Sequence, residues 1–146
     1  MAFPTATGGN TSGICPLSAY TNDYEMQHGT RPASSTVQGY IGSHPKVDRC
    51  YHHRLDEQEL KYAAELSCWF VDEEQVPEDF AIDAVVRRDG YVDRGREEEI
   101  AKYVYCLFID PIRWHGRPGT EVDNGRHRVC ALKLAGIPRV AVWIPQ

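Results

Sequence analysis

Between residues 56 and 109 the apolar side chains fall at spacings of three and four, and near the C-terminus they crowd into a short continuous run. Leu60, Ala63, Ala64, Ser67, Phe70 and Val71 draw one stripe along a helix expected from about Asp56 to Val71, the mark of a helix buried on one side. Asp56 with Glu59 three residues on is a capping-box-like start, with Asp where Ser or Thr is usual. Val76-Pro77-Glu78-Asp79-Phe80 reads as a second helix entry. Pro77 would sit near its first turn, and the two acids suit the positive end of the helix dipole. This helix is expected to bury Phe80, Ala84 and Val85 and to stop at Asp89-Gly90; a strand from Ile82 to Val86 is the rival reading. A third helix opens at Glu97-Glu98-Glu99, with Ile100, Tyr103, Val104, Leu107 and Phe108 as its apolar face. Pro111 ends it, because the residue before a proline avoids the helical region.

The stretch from Glu121 to Ile144 carries the densest pattern. It reads as a short strand, a tight turn, a helix and a closing strand. Asn124-Gly125 supplies the turn, since both residues tolerate positive φ. Val129, Leu132, Leu134 and Ala135 give the helix an apolar face. Gly136 suits the position just past its end, and Pro138 cannot continue it. Val140, Val142 and Ile144, with Trp143 between them, form a strongly apolar strand. The residues before this unit, from Ile112 to Thr120, read as a loop rich in Gly, Pro and basic side chains.

Composition divides the chain. Twenty-one of the first 46 residues are Gly, Ser, Thr or Pro and seven are Val, Ile, Leu, Met, Phe or Trp, too few to support a core. From residue 47 onward, 29 of 100 residues belong to that apolar set. The expected organisation is therefore an irregular, partly ordered arm over 1–46 and one compact domain over 47–146. Tyr20, Tyr24 and Tyr40 would dock the arm, and Val37–Ile41 offers a short strand. Helices in the middle and strands at the ends make an α+β (mixed α/β) domain, a small sheet packed against several helices.

Charge and cysteine content narrow the function classes. A net charge of −5 argues against a surface built to coat nucleic acid, so direct DNA binding is not expected. No apolar run reaches the roughly 18–20 residues that span a bilayer. The first ten residues lack the basic and apolar regions of a signal peptide. Five cysteines without paired spacing suggest free thiols in a reducing, cytoplasmic setting.

Chemistry concentrates in Asp123-Asn124-Gly125-Arg126-His127-Arg128. A tight turn leading into a helix presents unpaired N–H groups and the positive end of the dipole, a ready anion site. Arg126 and Arg128 suit phosphate or carboxylate oxygens, although two residues apart they diverge on a regular helix. His127 can donate to phosphate or act in acid–base chemistry. Asp123 beside an anion would repel it unless it binds a metal, orients an arginine or accepts a hydroxyl proton. His115, on the preceding loop with Arg117, can face the same pocket. The ligand set is thus Asn124, Gly125, Arg126, Arg128 and His115, with Asp123 and His127 as acid–base candidates. The competing account is a capped helix whose arginines form surface pairs.

The Asp-x-Gly-Arg-His-Arg run, then Val129-Cys130-Ala131-Leu132, Gly136-Ile137-Pro138 and an apolar strand, resembles the ParB/sulfiredoxin-like superfamily over about 25 residues. The resemblance implies a compact α/β domain in which residues 125–128 grip the phosphates of a nucleotide, CTP in ParB-like proteins and ATP with Mg2+ in sulfiredoxin and related kinases. Sulfiredoxin carries a catalytic cysteine directly after the glycine; Arg126 stands there in this chain, which argues against repair of oxidised cysteine. The DNA-reading second domain of a full partition protein is not expected within these 146 residues. The expectation is a solitary nucleotide-binding domain of the kind found in phages and other mobile elements. The alternative is a degenerate domain acting as a protein-interaction module or inhibitor of a cellular partner, without catalysis.

Two further motifs weigh less. Asp89-Gly90-Tyr91-Val92-Asp93-Arg94-Gly95 is similar to one block of metal-dependent phosphatases, with its first two residues exchanged and the companion blocks missing; a helix terminator is the better reading. Cys50-Tyr51-His52-His53, with His44 nearby, lacks the second ligand pair of a structural zinc, so no structural metal is expected.

Overall fold

The computed structural model describes residues 14–16, 30–37, 55–90, 95–114 and 122–145. In chain order its elements are β1 (Ile14–Pro16), β2 (Thr30–Thr36), α1 (Glu57–Asp72), β3 (Gln75–Pro77), α2 (Asp79–Asp89), α3 (Glu97–Ile109), α4 (Arg126–Leu134) and β4 (Arg139–Pro145). This is an α+β architecture. No helix among the described residues is long and apolar enough to cross a membrane.

β4 is the centre of the molecule. Val140, Ala141, Val142 and Trp143 are all buried in succession, as expected of a strand covered on both faces. One edge pairs antiparallel with β2 over seven residues, from Thr30↔Pro145 to Thr36↔Arg139. Along the other edge, Trp143 N–H donates to the Ile112 carbonyl at 2.8 Å and Trp114 N–H to the Trp143 carbonyl at 3.0 Å. Residues 112–114, expected as loop, therefore lie against β4. A second small ladder joins β1 to β3 antiparallel.

β2 falls within the Gly/Ser/Thr/Pro-rich segment, ahead of the strand expected at Val37–Ile41. Val37 follows β2 and is fully buried, its N–H bonded to the Pro138 carbonyl at 3.1 Å; residues 38–41 lie outside the described set. An edge strand held through backbone bonds needs few apolar side chains, and it tolerates Pro32.

α1 packs across the β2–β4 ladder. Its capping box forms in both directions, Glu59 N–H to the Asp56 carboxylate at 2.8 Å and Asp56 N–H to Glu59 Oε1 at 2.9 Å. Arg96, at the start of α3, grips the same Glu59 carboxylate through Nε at 2.8 Å and Nη2 at 3.1 Å. That guanidinium holds the buried carboxyl of Glu59 below its ordinary range, burial pulling the other way. The buried Ser67 hydroxyl donates to the Ala64 carbonyl at 2.7 Å and accepts from Ala141 N–H at 3.0 Å, tying α1 to β4. Phe70 and Phe108 meet edge to face at 6.2 Å between α1 and α3.

The face expected for α2 is corrected. Pro77 closes β3, and the helix begins two residues later at Asp79. Ala81, Ile82, Val85 and Val86 are buried, whereas Phe80 is 54% exposed and Ala84 also faces solvent. α3 matches its expected face: Ile100, Tyr103, Val104, Leu107 and Phe108 are all buried. Gly90 ends α2 in the left-handed conformation, φ 62°, the terminator read in the phosphatase-like block. Residues 91–94 of that block, the Cys50–His53 cluster, His44 and the three docking tyrosines lie outside the described residues.

Candidate functional site

The unit from Asp123 to Pro145 folds much as its pattern dictates, with three differences. Among the described residues before the turn there is no strand, only an isolated bridge in which Arg113 N–H donates to the Asn124 carbonyl at 3.1 Å. Within the turn Gly125 alone takes positive φ, at 92°. Gly136 follows α4 with φ 72°, and Ile137 N–H returns to the Leu132 carbonyl at 2.9 Å, a C-terminal cap of the usual glycine type.

The buried side of α4 also departs from expectation. Val129 and Leu132 are buried, but Leu134 is 70% exposed and Ala135 only half-buried. Cys130 and Ala131 are buried, and so is Arg128, at 2% exposure. Leu134 is the last residue of α4, whereas positions 128 to 132 are buried, and the Arg128 guanidinium reaches the end of α3.

Arg128 therefore occupies a place where cations are seldom found. Its Nη1 donates to the Cys106 carbonyl at a long 3.4 Å, and its Nη2 lies 4.0 Å from Asp110 Oδ2. Nε has no hydrogen-bond partner among the described residues. The buried Tyr103 hydroxyl, one turn before Cys106 on the same face of α3, also lacks one there. Burial drives its phenol well above the ordinary range, while the charge of Arg128 acts in the opposite sense. A guanidinium this enclosed and this lightly compensated is costly, because buried charge demands pairing.

Gly125 is what admits the guanidinium. A Cβ built on it would lie 2.9 Å from Ile112 Cγ1 and 3.1 Å from Arg128 Nη2. As the N-cap it brings no side-chain acceptor to the helix start. The first helical bond runs from Val129 N–H to the Gly125 carbonyl at 3.0 Å, so the amides of residues 126–128 precede the ladder.

Above these groups opens a depression of about 290 Å³ lined by Asp110 and residues 123–128. Asp123, Asn124, Gly125, Arg126, His127 and Arg128 are thus brought together, the two arginines diverging as their spacing requires: Arg126 is exposed and Arg128 enclosed. Asn124 lines the depression, with its Nδ2 donating to Asp110 Oδ1 at 3.0 Å and to the Pro111 carbonyl at 2.6 Å, so its side chain anchors the turn to the end of α3. His115 and Arg117 lie outside the described residues. Asp110 is the member that sequence reasoning missed. A trace was present, since an acid at a helix C-terminus opposes the dipole and calls for a partner elsewhere. No cluster of three or more His, Cys, Asp or Glu able to hold a metal occurs among the described residues. Cys68, Cys106 and Cys130 carry free thiols.

Compared with protein-family models, with characterised proteins and with solved structures, the chain matches none of them.

Proposed function

We propose that the chain binds a phosphate-bearing ligand, a nucleotide in the first instance, in the depression at the start of α4. The observation that carries this reading is Arg128, a nearly fully buried guanidinium beside a helix N-terminus, its Nε without a partner among the described residues. An anion in the depression would receive the amides of the first turn and the dipole of α4 together with that charge. The resemblance of Asp123–Arg128 to the ParB/sulfiredoxin-like superfamily supports ATP or CTP as the nucleotide. A Mg2+ ion accompanying it would find Asp110 and Asp123 at the rim, and Mg2+ is ordinarily held by one or two carboxylates plus phosphates. If the ligand is turned over, Asp123 and His127 are the acid–base candidates, and the chemistry is phosphoryl transfer or phosphodiester cleavage, to which positioned positive charge is suited.

Calorimetric titration with ATP, CTP and GTP, with and without Mg2+, tests the reading. Saturable binding lost in Arg128→Met and weakened in Arg126→Ala is expected. Absence of heat with all three nucleotides would overturn it.

A second reading, a protein-interaction module, is favoured by a different surface. A groove of about 370 Å³ between α1 and the α4–β4 connection is lined by Cys68, Trp69, Ile137 and Pro138, with charged residues at its margin. It shares no residue with the depression. Capture of a partner that survives changes at Arg126 and Arg128 would mark that function.

A further inference from the structure

Asp110 is poorly placed for its own helix. It caps the C-terminus of α3, its N–H donating to the Cys106 carbonyl at 2.9 Å, so its carboxylate sits at the negative end of the α3 dipole. What holds it there comes from the motif: Asn124 Nδ2 donates to Oδ1 at 3.0 Å, and Arg128 Nη2 lies 4.0 Å from Oδ2. The side chain is 72% exposed and lines the depression. Among the described residues it is the one carboxylate within 4.0 Å of the buried guanidinium.

We propose that Asp110 is a built-in competitor for the ligand anion, a carboxylate that partly neutralises Arg128 in the free protein and thereby sets the affinity of the site. This rests on the phosphate-binding reading and adds to it a residue that opposes binding. A phosphate entering the depression approaches Arg128 from the side on which Asp110 stands. It meets like charge a few ångströms away, and it must take over a guanidinium already partly compensated. Removing the charge of Asp110 while keeping its acceptor for Asn124 therefore strengthens anion binding. A merely structural Asp110 would act in the opposite direction, because loosening the turn would disorder the amides of residues 126–128.

The test is calorimetric titration of inorganic phosphate, without divalent cations, into wild type, Asp110→Asn and Asp110→Ser. Both variants are expected to bind phosphate roughly three- to tenfold more tightly at low ionic strength, the effect of one partly exposed charge a few ångströms from the ligand. The gain is expected to shrink at high salt, where such a charge is screened. Equal or weaker binding in both variants, or a gain insensitive to salt, would overturn the competitor role while leaving phosphate binding intact. A gain in one variant and a loss in the other would overturn it too, since the loss of charge is common to both. Absence of phosphate binding in wild type and both variants would remove the phosphate reading itself, and this inference with it.

Discussion

Gly125→Ala isolates the contact on which the site depends. Two costs are introduced together. At φ 92° an alanine is held in a region L-residues avoid, which costs about 1–2 kcal/mol. Its Cβ would also meet Ile112 Cγ1 at 2.9 Å, Arg128 Nη2 at 3.1 Å and Ile112 Cα at 3.3 Å. Ile112 is fully buried and its carbonyl is bonded to Trp143 N–H, so it cannot easily give way, and overpacking of this kind costs about 1–3 kcal/mol. The sum is a loss of about 2–5 kcal/mol from a domain whose whole stability is on the order of 5–15 kcal/mol. Gly90→Ala supplies the control: φ is 62° and no atom of the described residues lies within 4 Å of the added Cβ, so the backbone cost of about 1–2 kcal/mol is the one that applies. Urea unfolding of both variants against wild type measures the difference. Gly125→Ala is expected to be less stable than Gly90→Ala, and to lose phosphate affinity as the guanidinium is displaced, whereas Gly90→Ala retains it. Equal losses of stability in the two variants would refute the claim that Arg128 and Ile112 fill the space behind Gly125.

Two predictions concern the scaffold. Glu59→Gln removes the charge gripped by Arg96 and is expected to cost about 1–3 kcal/mol near neutral pH. Because the folded state lowers the Glu59 pKa, the stabilisation is fully present above the ordinary carboxylate value, about pH 4.3, and fades as pH falls through the lowered one; unfolding curves of wild type and variant should converge below that point, and a gap that persists in acid would contradict the assignment. Ser67→Ala takes away the acceptor of Ala141 N–H in the core, an expected loss of about 1–3 kcal/mol measured by the urea midpoint, with an unchanged midpoint as the contrary result.

The helices were legible wherever one face of a helix meets one side of the core. In α3 the periodic apolar residues are the buried ones, and in α1 all of them are except Val71, which is half-buried, with Tyr62 and Leu66 added to the buried side. α2 misled because its register depends on where β3 ends; Pro77 belongs to the strand, and Phe80 is left outside. β2 was hidden for a different reason: its bonds are to the backbone of β4, and Thr, Ser and Pro carry no periodic signal there. The site shows the same division. Asn124, Gly125 and the two arginines mark a candidate anion-binding turn by residue type alone. The burial of Arg128 and the placement of Asp110 beside it arise from where the end of α3 comes to rest against α4, and no local pattern encodes that meeting.

Arg128 gives this division a consequence in stability. A buried charge that has, among the described residues, one long hydrogen bond, one carboxylate at 4.0 Å and no partner for Nε contributes little to folding, since desolvation offsets what its contacts return. Methionine has a similar reach, fills irregular space and requires no partner. Arg128→Met is therefore expected to be neutral or more stable by about 1–2 kcal/mol without ligand, within the range found when buried ions are replaced by apolar side chains. Added phosphate should then separate the two proteins: it raises the melting temperature of wild type in proportion to the logarithm of its concentration above Kd, and it leaves the variant where it was. A structural arginine predicts the reverse, a loss of about 3–5 kcal/mol from breaking a buried pair and the same small response to phosphate in both proteins. The sign of the change in unliganded protein thus distinguishes a guanidinium retained for a ligand from one retained for the fold.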